Sequence, residues 1–402
     1  MRRPIAALLV AESVSMTGSQ MTALALPWFV LTTTGSPTRM SVVIGAEIAG
    51  YALFGIPSGT VLGRLGSKRT MLVADALRAP VVLAIPVLHW AGALSLGLLI
   101  VFAFATGVLG APYGAAQRVI VADLLEDDEA RVSRANSLFQ GANRITFLLG
   151  PALAGVLIAA IGAPSVLVID AASFVVSFAV LLALVPVPAA HPEAEDVSGL
   201  LSGLRYLARE PLLRAWTASF SIGDAAWQAI FAAIPVLVIA RYGADARVAG
   251  WLFAAFGVGA VGGNAVAWWL MPRTSALTLV ARVIMAQALP LWALAFSLPE
   301  AGAIAALFAS GLANGVVNPP IHALMTLRPP ASLRPKVLTA IFTCDAALAP
   351  AGLLTAGPLL QGFGTQPVFA GAAAVQTLTM GAMAVTAVRN RRWEAAVEPI
   401  GV

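Results

Sequence analysis

Apolar runs of about twenty residues follow one another along almost the whole of this chain, and no other feature restricts its fold so much. A helix of that length crosses a hydrocarbon layer of roughly 30 Å. Twelve such runs are delimited at 5–33, 40–62, 70–90, 94–117, 137–161, 165–187, 216–240, 248–271, 276–297, 301–326, 337–359 and 367–388. Inside lipid every backbone N–H and C=O needs a partner from the chain itself, which leaves helices or a closed barrel. Barrel strands alternate polar and apolar residues; these runs do not, so the expected class is an all-α integral membrane protein. Its 402 residues are 59% hydrophobic and only 11% charged, where soluble domains carry about a quarter. The first run follows Arg2 and Arg3 in the manner of a signal peptide. It is far longer than the roughly 7–15 apolar residues such a peptide needs, and reads as a retained first helix.

The few charges carry the topology. With a cytoplasmic N-terminus, only Arg39, Arg241 and Arg247 of the 24 Lys and Arg fall in outer loops. Arg78, Arg144 and Arg282 fall within runs, and all the others sit in inner segments. That asymmetry follows the positive-inside rule and puts both termini in the cytoplasm. A nucleic-acid surface would need the cations on one continuous face, so the net charge of +5 implies no nucleic-acid partner.

The longest polar stretch divides the chain into an N-terminal six-helix half (1–187), a cytoplasmic linker (188–215), a C-terminal six-helix half (216–388) and a cytoplasmic tail (389–402). Within and just beyond the linker, SGLLSGLRYLAREPLLRAW (198–216) has helical apolar spacing interleaved with Arg205, Arg209 and Arg214. This predicts an amphipathic helix along the membrane surface. The halves echo each other: ALPWFVLTTTG (25–35) aligns with AIPVLVIARYG (233–243) at an offset of 208. Two pseudo-symmetric six-helix halves around a midplane site are the layout of a secondary transporter.

Other chemistries lack their parts. The one cysteine, Cys344, can form neither an intrachain disulfide nor a cysteine cage, and His89, His191 and His322 show no metal-ligand spacing. No metal and no cofactor are expected. GRLGSKRT (63–70) lacks the lysine of a nucleotide-binding loop. An intramembrane enzyme would need a nucleophile with a base, and His322, isolated in sequence, is the one candidate base.

The loop GTVLGRLGSKR (59–69) resembles the signature between the second and third helices of the major facilitator superfamily, written G-x-L-a-D-R-x-G-R-[KR]. Gly59, Arg64, Gly66 and Lys68 match, while Gly63 stands where the family has an acid. In the family that acid helps latch the cytoplasmic gate. The resemblance therefore implies a latch built otherwise, with Asp123 at the inner end of the fourth run as a partner for Arg64. The residues alone read equally as a basic loop that sets topology. RITFLLGPALAG (144–155) resembles the antiporter motif of the fifth helix, supplying Gly150, Pro151 and Gly155. Ser137, Thr146 and Ala154 fill other glycine positions of that motif and are small enough for close helix packing. ALPWFVLTTTGSP, VADALRA, RANSLF, IDAASFVVSF and GLRYLAREPLLR are similar to the exporter branch that includes macrolide, mycobacterial-type multidrug and siderophore pumps. Many of those relatives carry Gly-Asp in the first helix, where this chain reads Gly18–Ser19.

The resemblance implies the superfamily's twelve-helix fold in a bacterial cytoplasmic membrane. It further implies a monomer that exports small amphipathic compounds in exchange for protons, with lipid as its surroundings. The alternative is an importer or uniporter of a small organic solute on the same fold.

Ionisable groups inside a membrane cost roughly 2.5–3.5 kcal/mol each to insert, so each needs a reason. The runs hold Glu12, Glu47, Asp75, Asp170, Asp224 and Asp345. Asp75 and Arg78, three apart on one run, are expected to pair. Asp170 is expected to bond a neighbouring helix. Glu12 lies two turns before Ser19 on nearly the same face. Asp224, shifted back by 208, falls one turn from Glu12. In the superfamily the first and seventh helices line the cavity, so both acids are candidate proton carriers. Arg144 is the candidate counter-charge to Glu12, either as a switch that moves with transport or as a static staple. Glu47 and Asp345 are candidate substrate contacts or gate residues. Trp227 and Gln228 offer a lipophilic cation a π face and a hydrogen bond. Trp28, Trp90, Trp251, Trp268, Trp269 and Trp292 lie near run ends and read as an interfacial belt.

Overall fold

The computed structural model describes residues 3–125, 129–187, 198–330 and 333–394, and all their regular structure is helical. Arg2, residues 188–197 of the expected linker and residues 395–402 of the expected tail lie outside the described residues. Contacts sort the chain into two units, one of the segments up to 187 together with 238–251, the other of 198–237 together with 252–394.

The first unit is built from α1 (Arg3–Thr34), α2 (Pro37–Leu65), α3 (Ser67–Trp90), α4 (Leu96–Leu125), α5 (Glu129–Ile161) and α6 (Ala163–Leu184). The second begins with a short α7 (Ser198–Arg209) and continues with most of α8 (Pro211–Arg241) and of α9 (Ala246–Leu270), whose residues between 238 and 251 group with the first unit. A broken segment follows: α10 (Ala276–Val283), α11 (Met285–Ala288) and a 3-10 turn over Leu289–Ala295. Then come α12 (Glu300–Leu327), α13 (Arg334–Phe363) and α14 (Thr365–Glu394). Among the described residues ten segments are long and apolar enough to span a membrane, eleven with α2, which bends by 62° between Gly55 and Pro57. α1 has the length, 32 residues, but its polar stretch Glu12–Gln20 lowers its hydropathy.

The tightening of the ninth run into a 3-10 turn has a local cause. Pro290 has no N–H to give, and the chain tightens into a 3-10 turn around it. The buried Ser310 hydroxyl of α12 donates to the Gln287 carbonyl at 2.7 Å, satisfying an acceptor that the break exposes.

Small residues set the tightest helix contacts. A Cβ on Gly107 of α4 would stand 1.9 Å from the Glu47 carbonyl of α2, so only glycine permits this approach. The second unit repeats the device, with Gly259 and Gly263 of α9 against Gly311 and Gly315 of α12.

Two sequence expectations meet a different outcome. Trp28 is buried in the first unit, not exposed in a belt, whereas Trp90, Trp251, Trp268, Trp269 and Trp292 are exposed. Its ring points from α1 into packed helices because it shares a face with the buried Leu24 and Leu31. The apolar face of α7 is covered by protein: Leu207 is buried, and Leu204 and Tyr206 pack on the core of the second unit around Trp216, Val337 and Met383. Gly203 lies against the Lys336 carbonyl of α13. Arg328 at the end of α12 holds the following corner, donating from Nε to Glu210 Oε1 at 2.7 Å in a mostly buried pair. Glu210 also accepts from the Leu213 N–H in the first turn of α8.

Candidate functional site

The signature loop folds as a sharp joint. Gly66, with φ of 76°, joins α2 to α3, a backbone conformation that glycine adopts without strain. Gly59, Gly63 and Arg64 are exposed, and nothing lies where a side chain at Gly63 would project. Asp123 accepts the Ser67 hydroxyl at 2.6 Å, so its partner in this structure is Ser67 and not Arg64. Lys68 is buried, and its ammonium donates to the carbonyls of Leu182 and Val185 at the C-terminal end of α6. Those carbonyls have no helical N–H to accept from, and the negative end of the helix dipole favours a cation there.

The first unit encloses a polar core. Glu12 is buried, with Oε2 accepting Gln117 Nε2 of α4 at 2.9 Å and Oε1 without a partner. Arg144 is exposed and makes no ion pair with Glu12 here. Asp170 of α6 accepts the Thr22 hydroxyl of α1 at 2.6 Å, the interhelical bond expected of it. A Cβ on Gly18 would meet the Asp170 carboxylate at 2.5 Å, which shows how closely α1 and α6 cross. Glu47 is half-buried and feels the charges of both Arg78 and Asp170. The expected Asp75–Arg78 pair is absent. Arg78 donates to Ser19 Oγ at 3.3 Å and lies 4.1 Å from the centroid of the Phe174 ring. The side chain thus trades an ion pair for a cation–π contact and a hydroxyl on other helices.

The antiporter-motif residues sit at close backbone crossings within the first unit. A Cβ on Gly150 would meet Gln20 Cβ at 2.3 Å, and one on Gly155 would meet the Ala246 carbonyl at 2.6 Å. Pro151 is buried, and its carbonyl lies beside Gly250.

The second unit brings the other candidates together. Asp224 is half-buried on α8 and accepts Gln228 Nε2, one turn on, at 3.4 Å. Asp345 of α13 is near enough for its carboxylate and that of Asp224 to repel each other. One turn from Asp224, Trp227 opens an aromatic wall, with ring centroids 4.7 Å from Phe256 and 5.4 Å from Phe231. Phe253 extends it, 5.5 Å from Phe231. Gln376 of α14 is fully buried, donates to the Gly223 carbonyl at 2.6 Å, and keeps its own Oε1 free. Two acids, two amides and an aromatic wall can hold an amphipathic cation, the rings taking its apolar body and the carboxylates its charge.

Gln117 and Gln376 were not anticipated from sequence. Each is an uncharged amide inside an otherwise apolar run, a signal that a search for ionisable groups passes over. Among the described residues no group of His, Cys, Asp and Glu is placed to hold a metal.

The family model described as Major Facilitator Superfamily matches residues 8–353. The multidrug efflux pump Tap of Mycobacterium tuberculosis is 28% identical over 385 residues, covering 92% of this chain and 90% of the relative. The pump of the same name from Mycolicibacterium fortuitum is 26% identical over 414 residues, covering 99% of each chain. Among solved structures, the nucleoside transporter NupG superposes with a TM-score of 0.77 at 12% identity, over 96% of this chain and 99% of that one.

Proposed function

The chain belongs to the Major Facilitator Superfamily, and from that premise we propose that it is a proton-coupled antiporter exporting small amphipathic compounds by alternating access. It is a multi-pass membrane transporter and not an enzyme. The observation that carries the export reading is the full-length likeness to proteins named multidrug efflux pumps. The second unit supports it in kind, because Asp224, one turn from a wall of Trp227, Phe231 and Phe256, offers a lipophilic cation a charge partner beside a π face. In the proposed cycle Asp224 and Asp345 exchange the compound for protons. Lipid surrounds a single working chain with both termini in the cytoplasm, the side to which the positive-inside rule assigns them.

Cells expressing the protein should retain less of a fluorescent lipophilic cation than cells expressing Asp224→Asn, and a protonophore should erase the difference. Accumulation above the variant would point to an importer. A difference that survives the protonophore would point to a uniporter or another coupling ion.

A further inference from the structure

Buried polar atoms without partners gather at one place in the first unit. Asp75 on α3 is fully buried and neither of its carboxylate oxygens has a hydrogen-bond partner of normal geometry. The same holds for Ser177 Oγ on α6, Tyr113 OH on α4, Arg78 Nε on α3 and Glu12 Oε1 on α1. These are neighbours. The Ser177 hydroxyl is close to both Asp75 and Tyr113, and the charges of Asp75, Glu12 and Arg78 all act on Tyr113. Tyr113 and Gln117, which bonds Glu12, are one turn apart on α4 and share a face. Native structures pair nearly all buried polar atoms, so a cluster of exceptions calls for a function.

The groups facing Asp75 come from every helix around it. α6 contributes Asp170 and Ser177, α4 contributes Tyr113, and α1 contributes Glu12 beyond Tyr113, while Glu47 of α2 acts on Arg78 and Asp170. Asp170 is occupied by Thr22 and Ser173. On α3 itself Lys68 is committed to α6 and Arg69 is exposed, which leaves Arg78 as the available cation. Yet Arg78 reaches to Ser19 and Phe174, one turn along the same helix from Asp75. An ionised carboxylate with neither donor nor counter-charge is untenable at this depth. Asp75 therefore needs one of two partners, a proton or Arg78.

We propose that Asp75 is a proton-exchange site joined to Glu12 through the hydroxyls of Ser177 and Tyr113, and that Arg78 replaces the proton when Asp75 is ionised. In the step, the Asp75 carboxyl gives its proton to the Ser177 oxygen. Ser177 passes its own proton to Tyr113, and Tyr113 passes its own to Glu12. Each hydroxyl ends as it began, the proton has moved from α3 to α1, and the carboxylate left on Asp75 takes the Arg78 guanidinium. The role in transport rests on the proton-coupled reading above, but the exchange itself can be read without any transported compound.

The test is pH-dependent infrared difference spectroscopy on the full chain in liposomes. The wild type should show a titrating carboxylic-acid band that Asp75→Asn removes and Asp75→Glu shifts in frequency. Tyr113→Phe should leave the Asp75 band but slow its exchange into heavy water severalfold. A band unchanged in Asp75→Asn, or in Asp75→Glu if the asparagine variant does not fold, would overturn the proposal. So would unaltered exchange in Tyr113→Phe. Substrate-driven proton flux that is absent while the Asp75 band behaves as stated would instead overturn the antiport reading and leave the exchange site standing.

Discussion

At the scale of single residues several of the chain's buried polar groups find their partner on another helix. Lys68 shows this most plainly. Its position in a basic loop reads from sequence as a topology signal, and its side chain turns out to close the end of α6. Replacing it with methionine keeps the apolar stem and removes the donor, orphaning carbonyls at Leu182 and Val185. The expected cost is on the order of 1–3 kcal/mol, seen as a lower melting temperature of the purified protein. Arg64→Met, at an exposed position, should leave the melt unchanged. Which residues would be polar inside the membrane was legible in the sequence, because an acid in an apolar run is conspicuous. Their partners were not. Glu12 bonds Gln117 and Asp123 bonds Ser67, choices set by which helix faces meet in space. Arg78 likewise follows the ring of Phe174 on α6 in preference to Asp75 on its own helix.

At the scale of elements the apolar runs became helices because the thickness of the bilayer prescribes their length. Their ends were less legible. The run at 137–161 belongs to α5 (Glu129–Ile161) and that at 94–117 to α4 (Leu96–Leu125), since a helix carries on into polar residues once it leaves the hydrocarbon. The ninth run hides a break, because hydropathy averages over Pro290 and cannot register a missing N–H. Helix contacts depend on glycine at a few crossings. Gly263→Leu should separate α9 from α12, since even a Cβ there would stand 2.0 Å from the Leu312 carbonyl. The expected result is loss of folded protein on size-exclusion chromatography. Gly59→Leu, in open space, should elute as the wild type does.

At the scale of the whole molecule the two units use matching devices: glycine crossings between α2 and α4 and between α9 and α12, and a half-buried amide bonded to an acid in each. They differ in what surrounds their acids. The first unit packs Glu12, Asp75 and Asp170 with Arg78, hydroxyls and Gln117, a setting suited to moving protons. The second sets Asp224, with Asp345 acting on it, one turn from aromatic rings, a setting suited to an organic cation. Glu12→Gln should therefore abolish transport driven by a pH gradient at normal expression. Asp224→Asn should lose affinity for the compound as well. The measurement that bears most directly on this account is lumenal pH in liposomes holding the purified protein under an imposed gradient, as lipophilic cations, macrolides and siderophores are added in turn. The account predicts proton movement that depends on an added compound and is lost in Glu12→Gln and in Asp224→Asn. Flux of a compound with no proton movement, or proton movement intact in both variants, would contradict it.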